Sequence, residues 1–243
     1  MKSYLCTNVV SKIKIIAMKS KIILTFLSIL LIATSCGNKN GNSNNKDNTE
    51  NDMKTTVENT ETADSTVMAV ADTLPEDPLF NIYTTEGNMV VELYKETPLH
   101  RDNFIKLANA HYYDGVLFHR VIYNFMIQAG DPLTKDPARE SEYGEGGPDY
   151  TIPAEILPQF KHKKGALAAA RLGDKANPKK ESSGSQFYIV HNPEYCTHLD
   201  GEYTIFGEVI DGFDVIERIA SIKTNEMDRP HKDVRIISVT PIN

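Results

Sequence analysis

The alternation of hydrophobic and polar positions divides the chain into three parts. Lys19 and Lys21 precede a mainly apolar run, Ile22 to Ile32, of 11 residues. That is roughly half the length a helix needs to cross a bilayer, and it has the form of an export-signal core. From Gly37 to about Asp77, Asn, Lys, Thr, Glu, Asp and Ser dominate, with no helical or strand period. Such a stretch buries too little apolar surface to offset its ordering entropy, so residues 37–77 are expected to be a disordered polar tether. At ~5–6 Å times the square root of ~40 residues, its mean span is on the order of 35 Å. From Pro78 to Asn243 the pattern is that of a folded, strand-rich domain.

Within that domain, Phe80 to Thr84 and Met89 to Tyr94 predict two strands of a hairpin around Glu86-Gly87-Asn88. Pro98 opens a helix in which Phe104, Leu107 and Ala108 fall at helical spacing, and Tyr112 to Gly115 ends it. Val116 to Ile122, rich in β-branched and aromatic residues, predicts a strand, with a turn at Tyr123-Asn124. A second apolar run, Phe125 to Ile127, stops at the loop signal Gly130-Asp131-Pro132. Strand alternation puts Arg120 on the face of Phe118 and Ile122, and Gln128 on the face of Met126. Asp214 to Ile219 predicts a second amphipathic helix, and Val234 to Val239 the last strand. Two helices among many strands are consistent with a closed barrel with helix-capped ends or with a sandwich, and periodicity does not separate them.

Composition narrows the function classes. The chain of 243 residues is long enough for one ordinary domain with an appendage, and its formal charge of −7 argues against nucleic acid as a partner. The three cysteines are Cys6, Cys36 and Cys196, so the domain has no internal disulfide framework. The seven histidines show no metal-ligand spacing, and neither a metal nor a cofactor is expected. Cys196 and His198 lack an apparent third group to orient them, and Cys196 reads as structural. What remains is an arginine and a glutamine set among large apolar side chains, and a strand in which Gln186 and Tyr188 share one face while Phe187 and Ile189 share the other. Together they describe a groove of mixed polar and apolar character.

The run Phe118-His119-Arg120-Val121-Ile122, then Phe125-Met126-Ile127-Gln128 and Gly130-Asp131-Pro132, closely resembles the signature of the cyclophilin family of peptidyl-prolyl cis-trans isomerases. Gly184 to Val190, Leu199 to Val209 and, more weakly, Gly165 to Arg171 extend the resemblance across nearly the whole domain. It implies a mainly β fold, a closed eight-stranded antiparallel β-barrel capped by two α-helices. The implied activity is isomerisation of X-Pro bonds in proline-containing polypeptides by a monomer, without cofactor or covalent intermediate. The resemblance makes Arg120 the catalytic residue and gives the proline pocket to Phe125, Met126, Tyr188 and Leu199. Gln128 matches the carbonyl-binding glutamine, Ala170, Arg171 and Gln186 the edge that binds the residue before proline, and Tyr203 the far rim. His198, also assigned to substrate binding, stands where eukaryotic members typically carry tryptophan. The Gly144 to Gly147 loop is expected to border the upstream subsite, and residues 172–183 form a lysine-bearing insertion. A second reading of the same groove is a chaperone or scaffold that holds proline segments with catalysis incidental.

The leader ends Ile32-Ala33-Thr34-Ser35-Cys36-Gly37. Small residues before a cysteine resemble a bacterial lipoprotein cleavage site, with Cys36 lipidated. Residues 1–36 are then a signal peptide, with Met18 an alternative start, and the domain is expected in the cell envelope, tethered to a membrane and acting on exported proteins.

Overall fold

A computed structural model describes residues 74–242. The expected signal peptide, Cys36 and most of the expected tether lie outside the described residues. Packing begins upstream of the expected domain start at Pro78. Leu74 rests against the core, Asp77 Oδ1 accepts the Lys95 N–H at 2.8 Å, and Arg101 Nη1 donates to the Glu76 carbonyl at 3.1 Å.

The expected hairpin is β1 (Leu79–Thr84) and β2 (Gly87–Leu93). Gly87 closes its turn at φ +132°, a conformation that disfavours side chains. A Cβ there would also lie 2.6 Å from Arg218 Nη2. Helix α1 (Pro98–Asn109) starts on proline and buries Phe104, Leu107 and Ala108 as the spacing predicts, with His100 and Ile105 beside them. Thr97 supplies no side-chain cap. The Glu155 carboxylate caps the helix from 55 residues away, accepting the backbone N–H groups of Leu99 and His100, each at 3.0 Å.

The remaining strands are β3 (Arg120–Ile122), β4 (Met126–Ala129), β5 (Thr151–Ile152), β6 (Ala166–Ala169), β7 (Ser182–Ser183), β8 (Phe187–Val190), β9 (Ile205–Asp211) and β10 (Ile236–Pro241). Helix α2 (Phe213–Ala220) precedes β10 and buries Val215, Ile216, Ile219 and Ala220. Eight strands form one antiparallel sheet in the order β10-β1-β2-β9-β6-β8-β4-β3, and β5 pairs with β7 apart from it.

Two expectations need correction. The sheet is a curled but open ladder, because β3 and β10 stand at its two ends and do not pair along their lengths. What spans the seam is the irregular segment before β3, through Gly115 N to Ile236 O, Ile236 N to Val116 O, Phe118 N to Val234 O and a bridge between Leu117 and Arg235. The predicted strand from Val116 to Ile122 is therefore only three residues long. Phe118 is 1% exposed in the inner core, whereas Arg120 faces the opposite side of the sheet. Phe118 and His119 lie outside β3, whose regular pairing begins only at Arg120, so alternation does not carry across.

The central strands are buried on both faces. Val121, Ile127, Leu167, Phe187 and Ile189 enter the inner core around Phe104, whose ring lies within 6 Å of Phe80, Tyr113, Phe187 and Phe206. Met126, Ala166, Ala168, Tyr188, Val190 and Ile205 form a second cluster on the other face. This explains why β6 and β8 carry apolar or aromatic residues on both faces.

Candidate active site

Strand register assembles the site on that second face. Arg120 stands opposite Gln128 across β3–β4, Gln128 opposite Tyr188 across β4–β8, and Tyr188 opposite Ala168 across β8–β6. Ile122, Met126 and Val190 form the next row. Above these rows lies a groove of about 290 Å³ lined by His119, Arg120, Phe125, Met126, Gln128, Tyr143, Gly144, Ala170, Arg171, Tyr188, Leu199, Tyr203 and Met227. Its size suits one small side chain with the backbone on either side of it.

A one-way chain of donors runs along one wall. Arg120 Nη1 donates to Gln128 Oε1 at 3.4 Å, Gln128 Nε2 to Gln186 Oε1 at 3.0 Å, and Gln186 Nε2 to the carbonyls of Gly144 and Gly146 at 2.9 and 2.7 Å. A guanidinium can only donate, so both amide orientations follow from it. Gln128 Nε2 has one further N–H beyond the one given to Gln186. On the other side of Arg120, Asp228 Oδ2 lies 3.6 Å from Nε. That pair is 43% exposed at each end, and in water it orients the side chain more than it stabilises the fold. The loop beyond Gly144 hangs on Asp131, which is fully buried and accepts the N–H groups of Leu133, Gly144 and Gly146.

The floor is held from below. The Tyr188 hydroxyl lies 2.8 Å from His162 Nε2, with the two rings parallel within 5°. His162 Nδ1 in turn donates to Asp200 Oδ1 at 2.8 Å, which leaves Nε2 as the acceptor for the phenol. Burial lowers the proton affinity of His162 and pushes the Tyr188 hydroxyl well above its ordinary range, so the pair stays neutral. Tyr203 meets Tyr188 edge-on at 5.9 Å. The Arg171 guanidinium covers the Tyr203 ring at 4.4 Å and is tied to Glu202 O and Asp174. Ala170 uses both its backbone groups within the chain, through Gln186 O and Ser183 N. The backbone groups of Arg171 have no partner among the described residues, which makes Arg171 the edge open to a bound peptide.

Ten of the eleven groove residues read from the sequence come together: Arg120, Phe125, Met126, Gln128, Ala170, Arg171, Tyr188, Leu199 and Tyr203 in the lining, and Gln186 just behind it. His198 is the exception. Its ring stacks against Phe125 at 6.1 Å, outside the lining, in a separate hollow. Cys196 is fully buried with burial raising its thiol to about 11, and its Sγ faces the Phe125 carbonyl at 3.5 Å. It packs the wall and is no nucleophile.

The site also contains residues that the sequence reading did not assign. His119, inside the recognised motif, is 6% exposed with neither ring nitrogen bonded, and burial pulls it down to about 4. It contributes a neutral polar edge beside Arg120. Its position within the motif was the available signal. Met227 and Asp228 arrive from the loop after α2, where no local pattern marks them. Among the described residues no group of three His, Cys, Asp or Glu side chains could hold a metal ion.

A permanent cation and an amide donor over an apolar floor, on a curled antiparallel sheet, define a peptide-binding groove suited to a planar amide beside a small ring. The profile of the family described as cyclophilin type peptidyl-prolyl cis-trans isomerase/CLD matches residues 79–241. The chain belongs to this family, and its reaction is rotation about X-Pro peptide bonds. It is 44% identical over 156 residues to peptidyl-prolyl cis-trans isomerase-like 1 of Aspergillus fumigatus, covering 63% of this chain and 89% of that one. Against the Homo sapiens protein of the same name it is 40% identical over 165 residues, covering 66% and 92%. A crystal structure of a cyclophilin type isomerase from Cryptosporidium parvum superposes with a TM-score of 0.61 at 30% identity, covering 69% of this chain and 98% of that one. A second structure of the same isomerase, determined in the presence of the dipeptide Ala-Pro, gives 0.59 at 29% identity.

Proposed function

We propose that Arg120 is the catalytic group and that it acts by binding the twisted X-Pro amide more tightly than the planar one. No bond is made or broken in this reaction. The barrier of ~18–20 kcal/mol is the loss of amide resonance, and free X-Pro bonds cross it in tens to hundreds of seconds. A ~10⁵-fold acceleration asks for about 7 kcal/mol of differential stabilisation. As the amide twists, the nitrogen lone pair localises and becomes a better acceptor, so a donor aimed at it gains strength on the way to the transition state. An arginine suits the task because it stays charged and its fork can hold two acceptors at once.

In this reading the prolyl ring sits among Phe125, Met126, Leu199 and Tyr203 on the Tyr188 floor. Gln128 holds the carbonyl, and the residue before proline lies along Arg171 near Ala170 and Gln186. The observation that carries it is the guanidinium of Arg120 standing in the wall of the same groove whose floor is apolar. A prolyl-peptide isomerase assay on Phe125→Ala and Arg120→Ala tests the division of labour. Phe125→Ala should chiefly raise KM and Arg120→Ala chiefly lower kcat. A raised KM alone for Arg120→Ala would refute it.

The same proposal sets the domain on a lipid anchor at Cys36 in a bacterial cell envelope, working as a monomer on exported proteins. The support is the run Ile22 to Ile32, the small residues before Cys36, and a family match that begins only at residue 79. Fractionation of cells expressing wild type and Cys36→Ala tests it. Release of the variant from the membrane pellet is the expected result, and an unchanged distribution would overturn the anchor.

A further inference from the structure

A second hollow adjoins the groove at one end of β4. It is lined by Ile122, Tyr123, Asn124, Phe125, Tyr195 and His198 and shares Phe125 with the catalytic groove. At the other end of β4 the groove shares Gln128, Gly144, Ala170 and Arg171 with a hollow built from the Gly144–Gly147 loop. Three concavities thus lie in line along one strand, with the prolyl site in the middle.

The Phe125-side hollow carries two large aromatic rings that the fold leaves open, Tyr123 at 62% and Tyr195 at 57% exposure. Their supports are fixed. Asn124 takes φ +61° and gives its N–H to His191 Nδ1 at 3.0 Å, while the Phe125 carbonyl accepts from His191 N at 2.9 Å. Tyr123 packs against the His191 ring at 5.3 Å. Tyr195 ends a short 3-10 turn whose start is capped by the Asn192 side chain. His198 closes the hollow by stacking on the reverse of Phe125. Exposed aromatic rings on a pinned backbone lose little entropy when they meet an apolar ligand.

We infer that this hollow is a substrate subsite, and that it takes an aromatic or large aliphatic side chain one or two residues after the isomerised proline. The inference rests on the proposed function for its direction. With the residue before proline at the Gln128 and Arg171 end, a peptide continuing past proline leaves over Phe125. At ~3.3 Å per extended residue, its first or second side chain reaches Tyr123 and Tyr195. The occupant follows from continuity with the groove: it is the same polypeptide whose proline the groove holds. His198 then contacts substrate from outside the prolyl pocket.

The test is an isomerase assay on two proline peptides that differ only after proline, one with Phe and one with Gly, using wild type and Tyr123→Ala/Tyr195→Ala. Wild type should favour the Phe peptide by about fivefold in kcat/KM, an aromatic contact's usual worth. In the double variant the ratio should fall to about one. Tyr195→Ala alone, on a solvent-facing turn, should give an intermediate ratio if the double variant is unstable. A wild-type ratio of one, or a ratio that the variants leave unchanged, overturns the subsite while turnover of the Gly peptide keeps the isomerase reading intact. A preference that responds to Tyr195→Ala but belongs to the residue before proline overturns the direction as well. Failure of wild type to turn over either peptide overturns the isomerase reading itself.

Discussion

The hydroxyl of Tyr188 and Nε2 of His162 lie 2.8 Å apart beneath the groove, with Asp200 holding the opposite nitrogen of the imidazole. The ring that forms the floor of the groove is therefore fixed by a polar contact as well as by packing. Both side chains are almost fully buried, so removing either leaves the other without a partner.

His162→Ala should cost about 1–3 kcal/mol of unfolding free energy, because a buried phenol loses its acceptor and Asp200 loses the imidazole donor while keeping the backbone N–H of residue 162. Tyr188→Phe should cost about 1 kcal/mol and keep most activity, since the ring remains. The double variant should be less destabilised than the sum of the singles. Urea unfolding of the four proteins measures this coupling, and strict additivity would mean that the contact contributes nothing.

Acidification should weaken the fold through His119. Burial sets it at about 4 in the folded protein, below its ordinary value of 6.5, so the unfolded chain takes up the proton first. Its contribution is therefore complete above about pH 6.5 and is lost progressively as the pH falls to about 4, at most about 3 kcal/mol. His100 and His162, also lowered by burial, add in the same direction. Unfolding free energy measured from pH 7.5 to 4.5 should decline, and His119→Asn should decline less steeply.

Asp131 ties the Gly144–Gly146 loop to the end of β4. Asp131→Ala strands three backbone N–H groups and frees the carbonyls that hold Gln186. The expected cost is about 2–4 kcal/mol of stability. In the fraction that folds, KM should rise more than kcat falls. Gly146→Ala should have the same signature, since its Cβ would lie 2.1 Å from Asp131 Oδ1. Steady-state kinetics with thermal melts on both variants checks this.

How far the sequence could be read depended on whether a feature was local. Phe104, Leu107 and Ala108 repeat at helical spacing and were legible as the buried stripe of α1. Arg120 and Gln128 flank a short turn, so their placement in neighbouring strands was legible locally, whereas the register that sets them opposite each other comes from the structure. Phe118 misled, because it lies before β3 begins and the alternation of the paired strand does not reach it. The open seam was hidden for the same reason: the segment that spans it looks like strand but bonds irregularly. His162, Asp200, Asp228 and Met227 reach the site from loops scattered over 67 residues of sequence, and nothing local distinguishes them. Glu155 at the start of α1 is hidden likewise, a cap supplied across space rather than by the preceding residue.

The central claim is that the guanidinium of Arg120 stabilises the rotated amide. Exchange spectroscopy on a proline peptide at saturating concentration isolates that step from binding, with far-ultraviolet dichroism and a melt to confirm that Arg120→Ala folds. The account predicts a fall in the on-enzyme interconversion rate of about 10²–10³-fold, with peptide affinity changed only a few-fold. A folded Arg120→Ala protein that interconverts bound peptide at the wild-type rate would contradict it.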